Sequence, residues 1–143
     1  MLTLQDARRY AAEIVSQVGP DFRYMTIRTA AHAQCLYIPL KEARAQGIYR
    51  EEQIEDDPRE KTGCLVGRIL DAAGETAHRS HHVEITDNVD DLYRKFPGLF
   101  DNIVGGYLTT LQISQDDGKT WAESVADGEN WLRTEPVAAS SIS

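Results

Sequence analysis

Ser114-Gln115-Asp116-Asp117-Gly118-Lys119-Thr120-Trp121 is the stretch on which the fold turns, because it supports two opposite readings. As S-x-D-x-G-x-T-W it fits the tight hairpin that recurs in β-propellers. As capping chemistry it is the end of one helix, a turn and the start of another. From about Asp101, Val104, Tyr107, Leu108 and Leu111 recur at helical spacing up to Gln115, and Asp117-Gly118 then turns the chain. Thr120 with Glu123 has the order of a capping box ahead of Trp121 and Val125. A propeller needs several four-stranded blades, each with its own repeat, and this chain has one copy in about a quarter of the length required. Helix, turn and helix is the expectation.

Working back toward the amino terminus, Val89, Leu92, Tyr93 and Phe96 share one side of a shorter helix that Thr86 or Asp87 can cap and Pro97-Gly98 ends. Gly63 to Ala73 reads as a short core helix with Thr62 as its N-cap, the apolar stripe Leu65, Val66, Ile69 and Leu70, and Gly74 as its stop. Gly67 inside it costs about 1 kcal/mol of helix propensity relative to alanine, so close packing against a neighbour is the expected compensation. Between Lys41 and Lys61 lie seven acidic and five basic residues. That segment reads as a solvated excursion, with a short helix at its start and interruptions at Gly47 and Pro58.

Phe22 to Arg28 and Gln34 to Ile38 are rich in aromatic and β-branched residues and are joined by the small, polar residues 29–33, which predicts an antiparallel β-hairpin. Before it, Leu4, Ala7, Ala11, Ile14, Val15 and Val18 mark an amphipathic helix over residues 4–18, opened by Thr3 and closed by Gly19-Pro20. The fold class expected is therefore α+β, mainly helical: an amino-terminal helix packed on a short hairpin, then three or four helices. One domain over residues 1–135 is expected, with residues 136–143 as a frayed tail.

The 143 residues are 41% hydrophobic and 27% charged, with a mean hydropathy of -0.44, as in an ordinary globular domain. No run of apolar residues is long enough for a membrane span, and the first residues lack the basic-then-apolar order of a signal peptide. A cytoplasmic, membrane-free protein with Cys35 and Cys64 as reduced thiols is the expectation. Net charge is -8 and uneven: residues 1–83 hold 12 acidic and 11 basic groups, residues 84–143 hold 11 acidic and 4 basic. Nucleic-acid affinity rests on lysine and arginine displacing counterions, so a protein partner is expected rather than a nucleic acid.

Three blocks together carry a resemblance: Cys35-Leu36-Tyr37-Ile38; Gly63-Cys64-Leu65-Val66-Gly67; and Gln112, Gln115-Asp116, Gly118, Trp121, Glu123 and Val125. Their order resembles small uncharacterised proteins of actinobacteria and their bacteriophages, whose pattern is a C-x-Y strand, a C-[LI]-V-G helix and a closing Q-x-x-Q-D-x-G-x-x-W helix pair. The sequence departs from that pattern in residues 41–61 and at Leu111, where alanine is more usual. The resemblance implies an actinobacterial or phage origin and a shared fold, and implies no activity.

Groups that could carry chemistry are few. Cys35, Cys64, His78, His81 and His82 are candidate zinc ligands by type, but they lack the paired spacing of structural zinc sites, and each cysteine lies in apolar sequence. Leu65-Val66 beside Cys64 argue for burial and against a reactive thiolate. There is no nucleophile elbow, and Gly105-Gly106 lacks the lysine and hydroxyl residue of a phosphate loop. Asp87, Asp90 and Asp91 fall short of a calcium loop and suit a helix N-terminus, or a face that meets a basic partner. Of Trp121 and Trp131, one is expected in the core and Trp131 is a candidate contact residue. No cofactor is expected. Two classes of function remain: a non-enzymatic accessory protein, phage-encoded in the setting the resemblance implies, that binds a host macromolecule; or a metal- or small-ligand-binding protein or enzyme built on the cysteine and histidine set.

Overall fold

The structure, a computed structural model, describes residues 1–24, 36–50, 52–53 and 55–135. Among them the regular elements are six α-helices: α1 (Leu4–Val18), α2 (Leu40–Ala45), α3 (Leu65–Ala72), α4 (Val89–Lys95), α5 (Asn102–Asp116) and α6 (Trp121–Thr134). Single 3-10 turns stand at Pro58–Glu60 and Ala77–Arg79. Helix α5 is the axle of the fold. It packs on α1, α3, α4 and α6, and its contact with α6 is the most extensive.

The amino-terminal and closing helices begin and end where capping chemistry places them. Thr3 Oγ1 accepts the Asp6 N–H (3.1 Å), Ala7, Ala11 and Ile14 bury one stripe, and Gly19 stops α1 at a φ of 95° that other residues rarely adopt. Asp101 caps α5 by accepting the Val104 N–H (2.9 Å), and Gly118 at φ 88° turns the chain. Thr120 and Glu123 then form the reciprocal capping box of α6 (both bonds 3.0 Å). The eight residues of the propeller-like pattern are therefore helix, turn and helix.

The expected α+β class is overturned. Among the described residues the only bridge is a single parallel one, Leu2 to Phe100, and no strand or sheet is present. Most of the expected hairpin, residues 25–35, lies outside the described residues; its flanks, Phe22 to Tyr24 and Leu36 to Ile38, are irregular. Their aromatic and β-branched side chains serve burial, not a ladder: Tyr24, Leu36, Tyr37 and Ile38 are all buried. The polar groups of this segment are satisfied one by one. The Leu36 carbonyl accepts both the Cys64 N–H (2.7 Å) and the Tyr24 hydroxyl (3.2 Å).

Two further expectations shift by a residue or two. Helix α3 starts after Cys64, not Thr62, whose hydroxyl instead bonds the Gly63 carbonyl (2.9 Å) and accepts from Arg68 (3.1 Å). Helix α4 is capped by Asn88, in a capping box with Asp91, and not by Thr86 or Asp87. The charged segment 41–61 is only partly solvated. Arg59 and Asp57 are buried against each other (2.8 Å), and Glu60 is buried on Arg44 (2.6 Å). Paired charge, once hydrogen-bonded on its remaining edges, tolerates burial that a lone charge does not.

The three sequence blocks meet inside the molecule. Gly63 and Gly67, one helical turn apart, leave a notch in which the Tyr37 carbonyl sits; a Cβ on either would fall under 3.0 Å from that oxygen. Gln115, fully in the core phase of α5, accepts through one oxygen both the first N–H of α3, from Leu65 (2.9 Å), and the indole N–H of Trp121 (3.1 Å). One turn earlier, Gln112 accepts the first N–H of α4, from Val89 (3.2 Å), and donates to the Tyr37 hydroxyl (3.2 Å). Tyr37 in turn donates to the Asp87 carbonyl (2.9 Å). Neither α3 nor α4 could cap all its first N–H groups locally, and two buried glutamines supply the missing acceptors.

Candidate functional site

The cysteine and histidine candidates are held apart or held fast. Cys35 lies outside the described residues. Cys64 is fully buried as the residue before α3. His78, on the turn Ala77–Arg79, is buried with its Nε2 2.6 Å from Asp71 Oδ1. Arg79 binds the same carboxylate (3.0 Å) and also pairs with Glu42, so this imidazole is one end of a four-residue polar chain. Burial pushes the Asp71 carboxyl up, but the hydrogen bonds from His78 and Arg79 outweigh it and hold it below the usual aspartate range. An ionised Asp71 can only accept, so the His78 Nε2 carries the proton of this hydrogen bond. His78 Nδ1 then remains buried without a hydrogen-bond partner. The ring borders a cleft of about 20 Å³ with Leu36, Tyr37, Ile48 and Ile85, room for one water and little more.

His81 and His82 are exposed and lie ring against ring, centroids 4.0 Å apart. Among the described residues, no three of the histidines, cysteines and carboxylates converge as a metal-holding group. The Tyr107 hydroxyl is a second buried polar atom without a partner, and burial pushes its pKa far above the ordinary tyrosine value. It sits where Gly128 of α6 crosses α5, beside the Arg8–Glu129 pair (2.5 Å) that ties α1 to α6.

The aspartates proposed to meet a partner are largely committed to their own helix. Asp87 is buried, pairs with Lys95 (2.6 Å) and accepts the Glu84 N–H (2.8 Å). Asp91 completes the α4 capping box, accepting the Asn88 N–H (3.0 Å), and also binds Arg94. Hydrogen bonding to that backbone N–H, then to Arg94, lowers the Asp91 pKa. Asp90 is exposed.

Trp131 lies in a different place. Its ring rests on the backbone of α5 at Gly106, where a Cβ would collide with the indole. Its other side borders an open groove of about 380 Å³ between α5 and α6, with Ile113 across from it in the lining. Ile113 is 58% exposed, and among the described residues only it and Met1 are large apolar side chains left so open. Thr110, Asn130 and Thr134 make a polar rim, and Asp117, Lys119 and Asp127 line the groove toward the α5–α6 turn. Thr110 and Thr134 spend their hydroxyl protons on their own helices, at Gly106 O (2.9 Å) and Asn130 O (3.2 Å). Asp127 is held by Lys119 and Ser114 (2.8 Å each), whose hydrogen bonds lower its pKa.

Ile113 escapes a reading that follows only the apolar stripe of α5. At about 100° per residue it falls opposite the side defined by Val104, Leu108 and Leu111. That opposition is itself the signal, as is its converse: Gln112 and Gln115 fall in phase with the core.

Comparison with known proteins finds no matching family model, no matching curated protein and no matching solved structure. No helix among the described residues is long and apolar enough to cross a membrane.

Proposed function

We propose that this chain is a non-enzymatic accessory protein of the cytosol that acts by binding a macromolecule, a protein in preference to a nucleic acid, through the groove between α5 and α6. One observation carries the reading: Ile113, 58% exposed, and Trp131 share a single groove with a polar rim. Scattered apolar residues on a surface need no explanation. An aliphatic side chain and a tryptophan facing one groove, ringed by hydroxyl and amide groups, have the layout of an interface core and its rim. Tryptophan is also among the residues on which binding energy concentrates. The acidic surplus of residues 84–143 disfavours a phosphate backbone as the ligand. The buried, unoxidised Cys64 suits a reducing compartment, and the resemblance to actinobacterial and phage proteins supports a bacterial host as the setting.

Site-specific photocrosslinking in an actinobacterial host tests this. A benzoylphenylalanine at Thr110, in the groove, is expected to yield one dominant protein adduct; the same group at Glu13, on the exposed side of α1, is expected to yield none. Equal adducts from both positions, or none from Thr110, would overturn the proposal.

A further inference from the structure

We infer that the groove between α5 and α6 receives a short basic segment of a protein partner, an apolar side chain seated between Ile113 and Trp131 and a lysine or arginine at the α5 carboxyl end. The inference rests on the preceding reading that this groove is the binding surface, and adds the chemistry of what enters it.

Charge complementarity supplies the argument. Around the turn that closes the groove stand four carboxylates, Asp116, Asp117, Glu123 and Asp127, against two cations, Arg23 and Lys119. Three of those six are spent at once. Lys119 and Asp127 neutralise each other (2.8 Å), and the Glu123 carboxylate is turned onto the Thr120 N–H in the capping box (3.0 Å). Arg23 donates to the Gly118 carbonyl. Asp117 remains, exposed, in the groove lining and without an ion-pair partner among the described residues, and Asp116 beside it, also exposed, accepts only from the Gln115 amide (3.1 Å). They stand at the end of a fifteen-residue helix with no basic residue in its last turn. Aspartate there opposes the negative end of the helix dipole and is the unfavourable choice for folding. Lysine or arginine would stabilise α5; two aspartates raise the attraction for a cation brought from outside.

The apolar and charged parts belong to one surface because they lie on one side of one helix. Thr110, Ile113 and Asp117 all line the groove, at spacings of three and four residues along α5. A partner side chain resting on Ile113 is therefore about one helical turn, some 5 Å, from the Asp117 carboxylate. That span matches neighbouring positions of an extended or helical segment. The rim adds little direct hydrogen bonding, since the Thr110 and Thr134 hydroxyl protons are already used. Recognition falls to one apolar contact and one charge.

Selection of a random, phage-displayed dodecapeptide library on the purified full chain tests the chemistry without assuming a sequence. Peptides retained after depletion on the Ile113→Asp variant are expected to combine a leucine, isoleucine or aromatic residue with an excess of lysine and arginine. Their affinity is expected to fall roughly three- to tenfold in the Asp116→Asn/Asp117→Asn double variant, as two exposed ion pairs allow. It should also weaken steeply as salt rises through about 0.1 M, where the Debye length has fallen to about 10 Å. Both variants change exposed residues, and thermal midpoints no lower than that of the natural chain confirm that folding is intact. A neutral or acidic consensus, or affinity unmoved by the double variant, would overturn the basic-segment inference and leave the groove as the binding surface. Peptides that bind Ile113→Asp as well as the natural chain, or no enrichment at all, would overturn both.

Discussion

The two sides of helix α5 invert the usual rule. Its inner side carries Gln112 and Gln115, buried and hydrogen-bonded; its outer side carries Ile113, more than half exposed. The inner side shows that a polar residue belongs in a core when it closes a gap in the backbone account. Each glutamine takes the first N–H of a neighbouring helix, so removing its amide orphans a donor that water cannot reach. The outer side shows the opposite: Ile113 answers to no demand of the fold, which is why the proposed binding groove centres on it. Gln112, Gln115 and Trp121 are thus architecture, while Ile113, which lies between the two glutamines, lines the groove proposed to bind.

The contrast can be broken by mutation. The largest effect is expected at the notch that receives Tyr37. Gly67→Leu meets a backbone carbonyl that cannot swing aside, and overpacking of this kind costs about 3 kcal/mol, or some 10 °C in Tm for a chain of this size. A thermal midpoint within two or three degrees of the natural chain would show that the notch is not tight. Next is Gln115→Met, which keeps the shape and removes the acceptor of two buried donors. A loss of about 2–4 kcal/mol in urea unfolding is expected. If Ile113→Ser, which should stay within about 0.5 kcal/mol, costs as much, the two sides of α5 are not the different surfaces described.

Thr120→Ala sharpens the comparison at its hinge, since this capping box starts α6. A loss of about 1 kcal/mol is expected, with carbon chemical shifts still helical on both sides of Gly118. The smallest effect is acid dependence at Asp71. Its folded pKa lies below the unfolded value of about 3.9, so its contribution is present above that pH and is lost as pH falls through the folded value. Asp71→Asn is thus expected to be less stable than the natural chain at pH 7, with the gap closing below about pH 4. A gap that stays constant from pH 7 to pH 3 would assign the loss to packing.

Much of the helical content was legible because it follows from local chemistry. Residues 4–18, and the pair that meets at Gly118, carry caps, stripes and stops that need no distant partner. The hairpin was not legible for a physical reason. Tyr24, Leu36, Tyr37 and Ile38 have the composition of strands, but composition records only that a residue will be buried, and here Tyr37 docks at the Gly63–Gly67 notch and Tyr24 stacks on Trp121 of α6. The start of α3 was misplaced for a related reason: its first N–H is capped by Gln115, fifty residues away from Leu65, and no local window contains it, whereas the start of α4 was legible in the capping-box order of Asn88 and Asp91. Of the candidate site, Trp131 could be named from its type. Ile113 required the helical phase, and the groove required both helices in place.

The single backbone bridge has a consequence for how the chain is made. The Leu2 N–H bonds the Leu99 carbonyl (2.8 Å), the Trp121 N–H bonds the Phe22 carbonyl (2.9 Å), and Arg8 reaches Glu129. The first helix is thus fixed partly by α3 and partly by residues between Leu99 and Glu129 that are synthesised much later. At about 5–20 residues per second, α1 leaves the ribosome many seconds before the last of the helices it packs on, α5 and α6, exist. During that interval its apolar stripe is open to chaperones, or to the same stripe on a neighbouring nascent chain. Once α6 arrives, Phe22 and Arg8 gain their partners Trp121 and Glu129, and a product cut short before residue 121 lacks both ties.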